Sequence, residues 1–190
     1  MNIDPYLVGV LYGDGSISKR KDGAYAVWID QVKRNRDIIE RVKSQFKQLG
    51  LKVFAYRYYA KADHTFKYRA LVYSKKLFLE LRKIFKDISN YTKKLAAGAV
   101  KSFIAGFLDA EGTVTDRVVI YNKNLELLQT IQDRLTRMDI PNVYIYKFGV
   151  VEGLQIYRMN SLRKLVKEIP SVKLNRPSSL TNRIFRPQSG

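Results

Sequence analysis

The chain has 190 residues, of which 35 are Lys or Arg and 17 are Asp or Glu, so its formal net charge is +18. A hydrophobic fraction of 46% predicts a folded core and excludes a disordered basic tail. Because so much positive charge opposes a compact state, it indicates a polyanionic partner, with nucleic acid as the first candidate and an anionic membrane surface as the second.

Missing residue types exclude several classes of site. The chain contains no Cys, which excludes disulfide scaffolds, zinc fingers and thiol nucleophiles. Its single histidine, His64, has a turn-like context and cannot form a histidine triad. The N-terminus lacks the pattern of a signal peptide, and no apolar run approaches the ~18 residues of a membrane span.

The first half of the chain alternates between helical and strand periodicity. Asp4 is the predicted N-cap of the first helix, and Gly50 ends the second. The strand that contains Lys67 and Arg69 has one basic face. The predicted elements are a helix over 4–13, a strand over 25–29, a helix over 35–49, strands over 51–59 and 66–72, and a helix over 75–86.

The second half repeats the order α-β-β-α-β-β-α. Two hairpins in each half predict an α+β fold in which each half has a four-stranded antiparallel sheet with helices on one face. The predicted elements are a helix over 101–110, strands over 113–115 and 118–121, a helix over 124–138, strands over 143–148 and 153–159, and a helix over 161–168. The predicted organisation is a first repeat over 1–87, a linker over 88–98, a second repeat over 99–170, and an extended basic tail over 171–190.

Two similar segments carry the repeat. Residues 6–15 read YLVGVLYGDG and residues 103–112 read FIAGFLDAEG, which places Asp14 and Glu111 97 positions apart. The second and third helices of each half match at offsets of 89 and 85, in the same order along the chain. Three ordered matches favour duplication over chance similarity between amphipathic helices.

Small residues form a stripe on both repeated helices. Gly9 and Gly13 are four positions apart, as are Gly106 and Ala110. Such stripes allow two helix backbones to approach closely, so we expect the helices to pair on a pseudo-two-fold axis. An acid and then a glycine follow each stripe, and both acids should therefore emerge side by side at helix C-termini.

Asp14 and Glu111 are electrostatically unfavourable at that place, because helix C-termini are already partly negative and two anions repel each other. A divalent cation between them would explain the arrangement, and hard oxygen ligands suit Mg²⁺. Metal ions clamped by carboxylates hydrolyse phosphodiesters. An ordinary Asp-Gly turn is the alternative for a single copy, and the duplication argues against it.

Residues 7–15 and 104–112 resemble the two defining motifs of the LAGLIDADG homing endonucleases. The second copy matches better, since the first has Tyr12 and Gly13 where the consensus has Asp and Ala. The resemblance covers nearly the whole chain and is to the single-chain, two-motif type of archaeal introns.

This resemblance implies a monomeric, site-specific endonuclease of intron homing, located in a prokaryotic (archaeal) cytoplasm or in an organelle and without a membrane partner. It implies paired central helices, two sheets forming a saddle in the major groove of a long, near-asymmetric double-stranded DNA target, and cleavage across a compressed minor groove that leaves short 3′ overhangs. Two or three Mg²⁺ ions at the centre of the helix pair would bind Asp14, Glu111 and the carbonyl groups of Gly13 and Ala110.

The resemblance also implies polar residues near the end of the second strand of each half, where they order water around the scissile phosphates. The residues at these positions are Gln31, Lys33, Asn122 and Lys123. A lysine that often follows the second motif is replaced here by Thr113-Val114-Thr115, for which Arg117 is the candidate substitute.

Basic and polar strand and hairpin residues are the candidates for contact with DNA, because a β-ribbon fits the major groove. They are Lys19, Arg20, Lys21, Arg57, Lys61, Lys67, Arg69, Thr115, Arg117, Tyr144, Lys147, Gln155 and Arg158. An RNA intron maturase or a non-cleaving DNA-binding protein of the same fold is the alternative function. The presence of both acids favours the enzyme.

Overall fold

The computed structural model describes residues 1–177 and 179–185, and its first half has the order α-β-β-α-β-β-α that the repeat predicts, with one strand, over 15–19, beyond those predicted by number. Its four strands form an antiparallel sheet in the order β1-β2-β4-β3. The elements are α1 (Pro5–Asp14), β1 (Gly15–Lys19), β2 (Tyr25–Val32), α2 (Arg36–Gln48), β3 (Phe54–Ala60), β4 (Thr65–Tyr73) and α3 (Lys75–Lys86).

Between the halves lies α4 (Ile88–Lys94), which is a short helix within the predicted linker. The second half then repeats the first, with an antiparallel sheet in the order β5-β6-β8-β7. Its elements are α5 (Ala97–Glu111), β5 (Gly112–Val114), β6 (Val118–Asn122), α6 (Leu125–Arg137), β7 (Val143–Phe148), β8 (Val151–Ile156) and α7 (Met159–Glu168). The predicted α+β class with two pseudo-symmetric αββαββα halves is confirmed.

The segment after Pro170 is not the extended tail that the sequence predicted. Residues 172–175 turn back against the molecule, and α8 (Ser179–Phe185) follows. Leu174, Leu180 and Ile184 are buried in the common core, so their apolar side chains fold this segment onto the protein. Ser178 and residues 186–190, including Pro187 of the predicted tail, lie outside the described residues.

Helices α1 and α5 pack against each other with their backbones in close approach, as the stripes of small residues predicted. A Cβ atom placed on Gly106 would lie 2.0 Å from the carbonyl oxygen of Tyr6, and one placed on Gly9 would lie 2.3 Å from the carbonyl oxygen of Phe103. Neither position has room for a side chain. We call α1 and α5 the helix pair.

Glycine also ends each of these helices for a steric reason. Gly15 and Gly112 are extended, with φ of −83° in both, rather than left-handed. A Cβ on either residue would lie 2.4 Å from the carbonyl oxygen of the residue four positions earlier in its helix. Each glycine therefore lets its strand begin directly at the end of its helix.

In the described part of the chain, none of the helices combines the length and the apolar character that crossing a membrane requires.

The close approach of the helix pair predicts opposite effects for two substitutions in α5. Gly106→Ala forces the backbones apart and should lower the free energy of unfolding by about 2–3 kcal/mol. Gly98→Ala, whose Cβ meets nothing within 4 Å, should raise it by about 0.5–1 kcal/mol through helix propensity. Urea unfolding followed by circular dichroism measures both. Equal effects of the two substitutions would contradict the packing argument.

Candidate active site and nucleic-acid interface

The helix pair brings the two motif acids to one place. Asp14 is the last residue of α1 and Glu111 the last residue of α5. Between them, a Cβ on Gly13 would lie 2.5 Å from the Cβ of Ala110 and 3.5 Å from Oε1 of Glu111. The small residue before each acid therefore allows the acids to approach, and we call Asp14 and Glu111 the acid pair.

Burial by protein atoms and mutual repulsion change the pKa values of the acid pair. Asp14 is accessible to solvent on one side and Glu111 is half-buried. Desolvation raises the pKa of Asp14, although the hydrogen bond from Gln31 counteracts the rise. Desolvation and the nearby Asp14 carboxylate raise the pKa of Glu111 to about 7. A bound cation would relieve both effects.

Each acid accepts a hydrogen bond from a side-chain amide on the sheet of its own half. Nε2 of Gln31 donates to Oδ2 of Asp14 at 2.5 Å, and Nδ2 of Asn122 donates to Oε1 of Glu111 at 3.4 Å. Gln31 and Asn122 stand at matching positions, two residues beyond the partners of Gly15 and Gly112 in the strand pairing. The duplicated fold therefore repeats the contact between amide and acid.

Lys33 and Lys123, which the sequence also assigned to this region, are exposed. No hydrogen bond or ion pair joins either side chain to the acid pair in the part of the chain that is described. Arg117, the candidate substitute for the lysine after the second motif, lies in an exposed hairpin and pairs with its neighbour Asp116 at 3.0 Å. It does not reach the acid pair.

The lysine that does lie beside the second motif is Lys173, which the sequence analysis assigned to the tail. Its ammonium group donates to the carbonyl oxygen of Gly112 at 2.6 Å and to that of Ala110 at 3.1 Å. Burial lowers the pKa of Lys173, while the charges of Asp14 and Asp109 act in the opposite direction. No local motif in the sequence marks this residue, because the contact spans more than 60 positions.

Oxygen ligands in the site suit a hard divalent cation. Two carboxylates lie at the end of the helix pair, where desolvation and their mutual repulsion raise the pKa of Glu111. Over residues 1–177 and 179–185 there is no cluster of three or more His, Cys, Asp or Glu residues of the kind that holds a metal ion. Main-chain oxygens and water would have to complete the coordination shell, and the carbonyl of Ala110 already accepts a hydrogen bond from Lys173.

Each sheet has one face covered by helices and one open face, and strand alternation decides which candidate lies where. Arg69 and Lys67 lie on the open face of the first sheet with Trp28, and Tyr144 and Gln155 on that of the second. Arg20, Lys21, Lys61, Thr115, Arg117 and Arg158 lie in hairpins or at strand ends.

Three candidates lie on the face that the helices cover. Arg57 pairs in register with Tyr68, and its guanidinium lies 3.8 Å from the ring of Phe66. Lys147 takes the matching position in the second sheet, opposite Glu152. Lys19 lies on the same face as Ile17, which packs on the core. The period of two in a strand separates these cations from their neighbours.

Aspartates form ion pairs with several of the candidate cations. Arg69 forms a bidentate pair with Asp30, in which Nε donates at 2.7 Å and an Nη at 2.6 Å. The other pairs are Arg20 with Asp22, Lys67 with Asp63 and Arg117 with Asp116. To contact an anion, each of these side chains would have to exchange its aspartate for that anion. The bidentate pair also fixes the direction in which the Arg69 guanidinium donates its hydrogen bonds.

Comparison with known proteins supports the resemblance that the motifs indicated. The model of the LAGLIDADG-like domain matches residues 99–170. No curated protein sequence matches the chain. The homing endonuclease I-DmoI, in its complex with DNA and Ca, is similar over 95% of this chain and 96% of its own, with a TM-score of 0.70 and 25% identity. Residues 99–170 thus match a LAGLIDADG-like domain, and the chain has the fold of I-DmoI.

Two further structures share the LAGLIDADG fold. The complex of I-DmoI with DNA and Mn matches 92% of this chain and 97% of its own, with a TM-score of 0.69 and 25% identity. The N-terminal LAGLIDADG domain of DUF199/WhiA matches 92% of this chain and 86% of its own, with a TM-score of 0.62. Its identity of 16% supports the fold alone.

The raised pKa of Glu111 predicts a stability difference that depends on pH. A carboxyl group whose pKa rises from 4.5 to about 7 on folding destabilises the protein as the pH increases through that range. Without metal, Glu111→Gln should therefore leave the free energy of unfolding nearly unchanged at pH 4. At pH 8 it should raise that free energy by about 1–2 kcal/mol, a value reduced for partial hydration of the side chain.

Urea unfolding in the presence of a chelator, measured at several pH values, tests this difference. Glu80→Gln on α3 is the matched control, because it makes the same chemical change away from the acid pair. If the stability profiles of the wild type and Glu111→Gln run parallel from pH 4 to pH 8, the acid pair is not strained.

Proposed function

We propose that this chain is a homing endonuclease that cuts both strands of a specific double-stranded DNA site with a divalent metal. The acid pair is the observation that carries the proposal. Two repelling carboxylates at adjoining helix ends cost stability, and a protein that only binds DNA gains nothing from them. The similarity to I-DmoI, whose solved complexes contain DNA with Mn or Ca, supports the same function.

Asp14 and Glu111 are the residues that would hold divalent cations, and their hard oxygen atoms favour Mg²⁺ as the ion used. A bound ion would supply an activated water and stabilise the leaving oxygen of the phosphodiester. Each acid needs a fixed orientation for this work. Gln31 and Asn122 provide it, because each donates one amide hydrogen to a single carboxylate oxygen, and the other oxygen has no hydrogen bond within residues 1–177 and 179–185.

A second layer of contacts fixes Gln31 in turn. Nδ2 of Asn35 donates to Oε1 of Gln31 at 2.7 Å, and an Nη of Arg176 donates to Oδ1 of Asn35 at 2.9 Å. Gln31 is 4% exposed, so it has little freedom to rotate. In the second half, the side chain of Asn122 accepts the backbone amide of Asn124 at 2.9 Å. Both amides are therefore oriented before any ligand binds.

The two open faces are proposed to lie in the major groove on either side of the acid pair, which would face the minor groove between them. Cleavage by the acid pair across a compressed minor groove would leave short 3′ overhangs. The formal charge of +18 draws DNA to the protein from any direction. Binding should weaken with salt, with a log–log slope of about −0.9 for each phosphate neutralised.

Cleavage of the gene's own locus tests the proposed function. The substrate is a plasmid that carries the joined sequences flanking the gene, with the gene and any surrounding intron removed. With Mg²⁺ the wild type should linearise this plasmid. Asp14→Asn and Glu111→Gln should each lower the rate by about 10²-fold or more, because each removes a ligand charge, while DNA binding without metal is retained.

Asp133→Asn is the matched control, since it removes a carboxylate from the exposed surface of α6 and should cut like the wild type. Tight binding of the joined site without any cleavage by the wild type would support the non-cleaving alternative instead. Preferential binding of the intron RNA would support the maturase.

A further inference from the structure

We propose that residues 171–177, here called the C-terminal segment, complete a phosphate-binding pocket beside the acid pair, to which the segment contributes Lys173, Arg176 and Pro177. The ligand we infer is a backbone phosphodiester of the DNA substrate, so this inference rests on the proposed function. The groups proposed to hold the phosphate lie outside the acid pair.

Asp109 anchors the C-terminal segment to α5. Its side chain is fully buried and accepts four hydrogen bonds. Ser171 Oγ donates at 2.6 Å, the backbone amides of Val172 and Lys173 donate at 2.9 Å, and the hydroxyl of Tyr6 donates at 2.9 Å. Hydrogen bonds to a buried carboxylate are among the stronger ones in proteins, so the backbone around Lys173 is held in one position.

Lys173 points from this anchor towards the end of α5. Its ammonium group has three hydrogens, of which two bond the carbonyl oxygens of Ala110 and Gly112. Neutral carbonyl groups do not cancel its charge, and among the described residues the carboxylates of Asp14 and Asp109 act on it only through space, without an ion pair. The third hydrogen and the positive charge remain available to an anion.

A cavity of about 310 Å³ lies beside Lys173. Three of its lining residues are cationic, and none carries a carboxylate. The exposed Arg34 has no hydrogen bond or ion pair in the part of the chain that is described, whereas Arg176 is held by Asn35 at 2.9 Å and by Asp37 at 2.8 Å. The lining consists of Arg34, Asn35, Gly112, Thr113, Val114, Thr115, Lys173, Arg176 and Pro177.

The pocket connects to both members of the acid pair. Gly112 in its wall directly follows Glu111 in the chain, and Asn35 in its wall bonds Gln31, which bonds Asp14. An anion in the pocket would therefore lie next to the site of cleavage. Lys173, Arg34 and the Thr side chains of the lining are groups that recognise a phosphate, while Arg176 is held beside them by Asp37 and Asn35.

The first half has no counterpart of the anchor. Tyr12 stands where the second half has Asp109, and its ring packs on Phe85 and Phe107 with centroid distances of 5.4 and 5.9 Å. An aromatic ring there cannot accept the backbone amides that Asp109 accepts. The pocket is thus a feature of one side of the site, and we expect it to bind a single phosphate.

Calorimetric titration with inorganic phosphate, in a chelator and without DNA, tests the pocket directly. The wild type should show one saturable site. Lys173→Met and Arg34→Gln should each weaken phosphate binding about tenfold or more. Lys167→Met, which removes the same charge from the exposed face of α7, should bind phosphate like the wild type. Since Arg34 is exposed and unpartnered, its variant tests the pocket even if Lys173→Met fails to fold.

A second measurement uses a short mixed-sequence DNA duplex, again without metal. Arg34→Gln should reduce the salt dependence of binding by about one unit of log–log slope, as expected for one lost phosphate contact. Lys167→Met should leave the slope unchanged. Absence of saturable phosphate binding in the wild type, or equal binding by all variants, overturns the pocket. Loss of phosphate binding in the pocket variants alone supports it even if the joined plasmid is never cut, an outcome that would overturn only the proposed function.

Discussion

The direct contact between the backbones of α1 and α5 is the constraint on which the rest of the molecule depends. Glycine at positions 9 and 106 removes the side chains that would separate the helices, and the carbonyl oxygens of the partner helix occupy that space. Because the helices approach so closely, their last residues also meet. The position of the acid pair is therefore a consequence of helix packing in the core.

This arrangement opposes electrostatics to packing. Burial of apolar side chains stabilises the association of α1 and α5. Four of these side chains, all fully buried, are Tyr6, Val10, Phe103 and Phe107. The acids gain nothing from the association and repel each other at helix ends that are already negative. Conflict between local preference and global structure is typical of functional sites, and here the conflict is confined to two residues.

Periodicity, the repeat and the stripe of small residues were sufficient to predict most of the fold. The bounds of α3 and β7 agree with the structure, and so does the order of elements in each half. These features are local, or they repeat in a recognisable way. The helical structure of α4 within the linker was missed because its seven residues are too short for a periodic signal.

The candidate site was predicted only at residues that a local sequence pattern identifies. Asp14 and Glu111 end a repeated motif, and Gln31 and Asn122 occupy matching strand positions that alternation brings to the helices. The role of Asp109 as an anchor was not predicted, because its partners at 171–173 are more than 60 residues away. The faces of Arg57 and Lys147 depend on the register between strands, which composition does not give.

The anchor at Asp109 also has a consequence for the order in which the parts of the chain fold during synthesis. A ribosome releases α5 well before it releases residues 171–173, so a growing chain holds a motif helix whose aspartate has no backbone partners. Burial of that carboxylate without them is unfavourable. Closing of the helix pair should therefore be completed late in synthesis, and a fragment that ends before the anchor's partners would leave the second motif only loosely held.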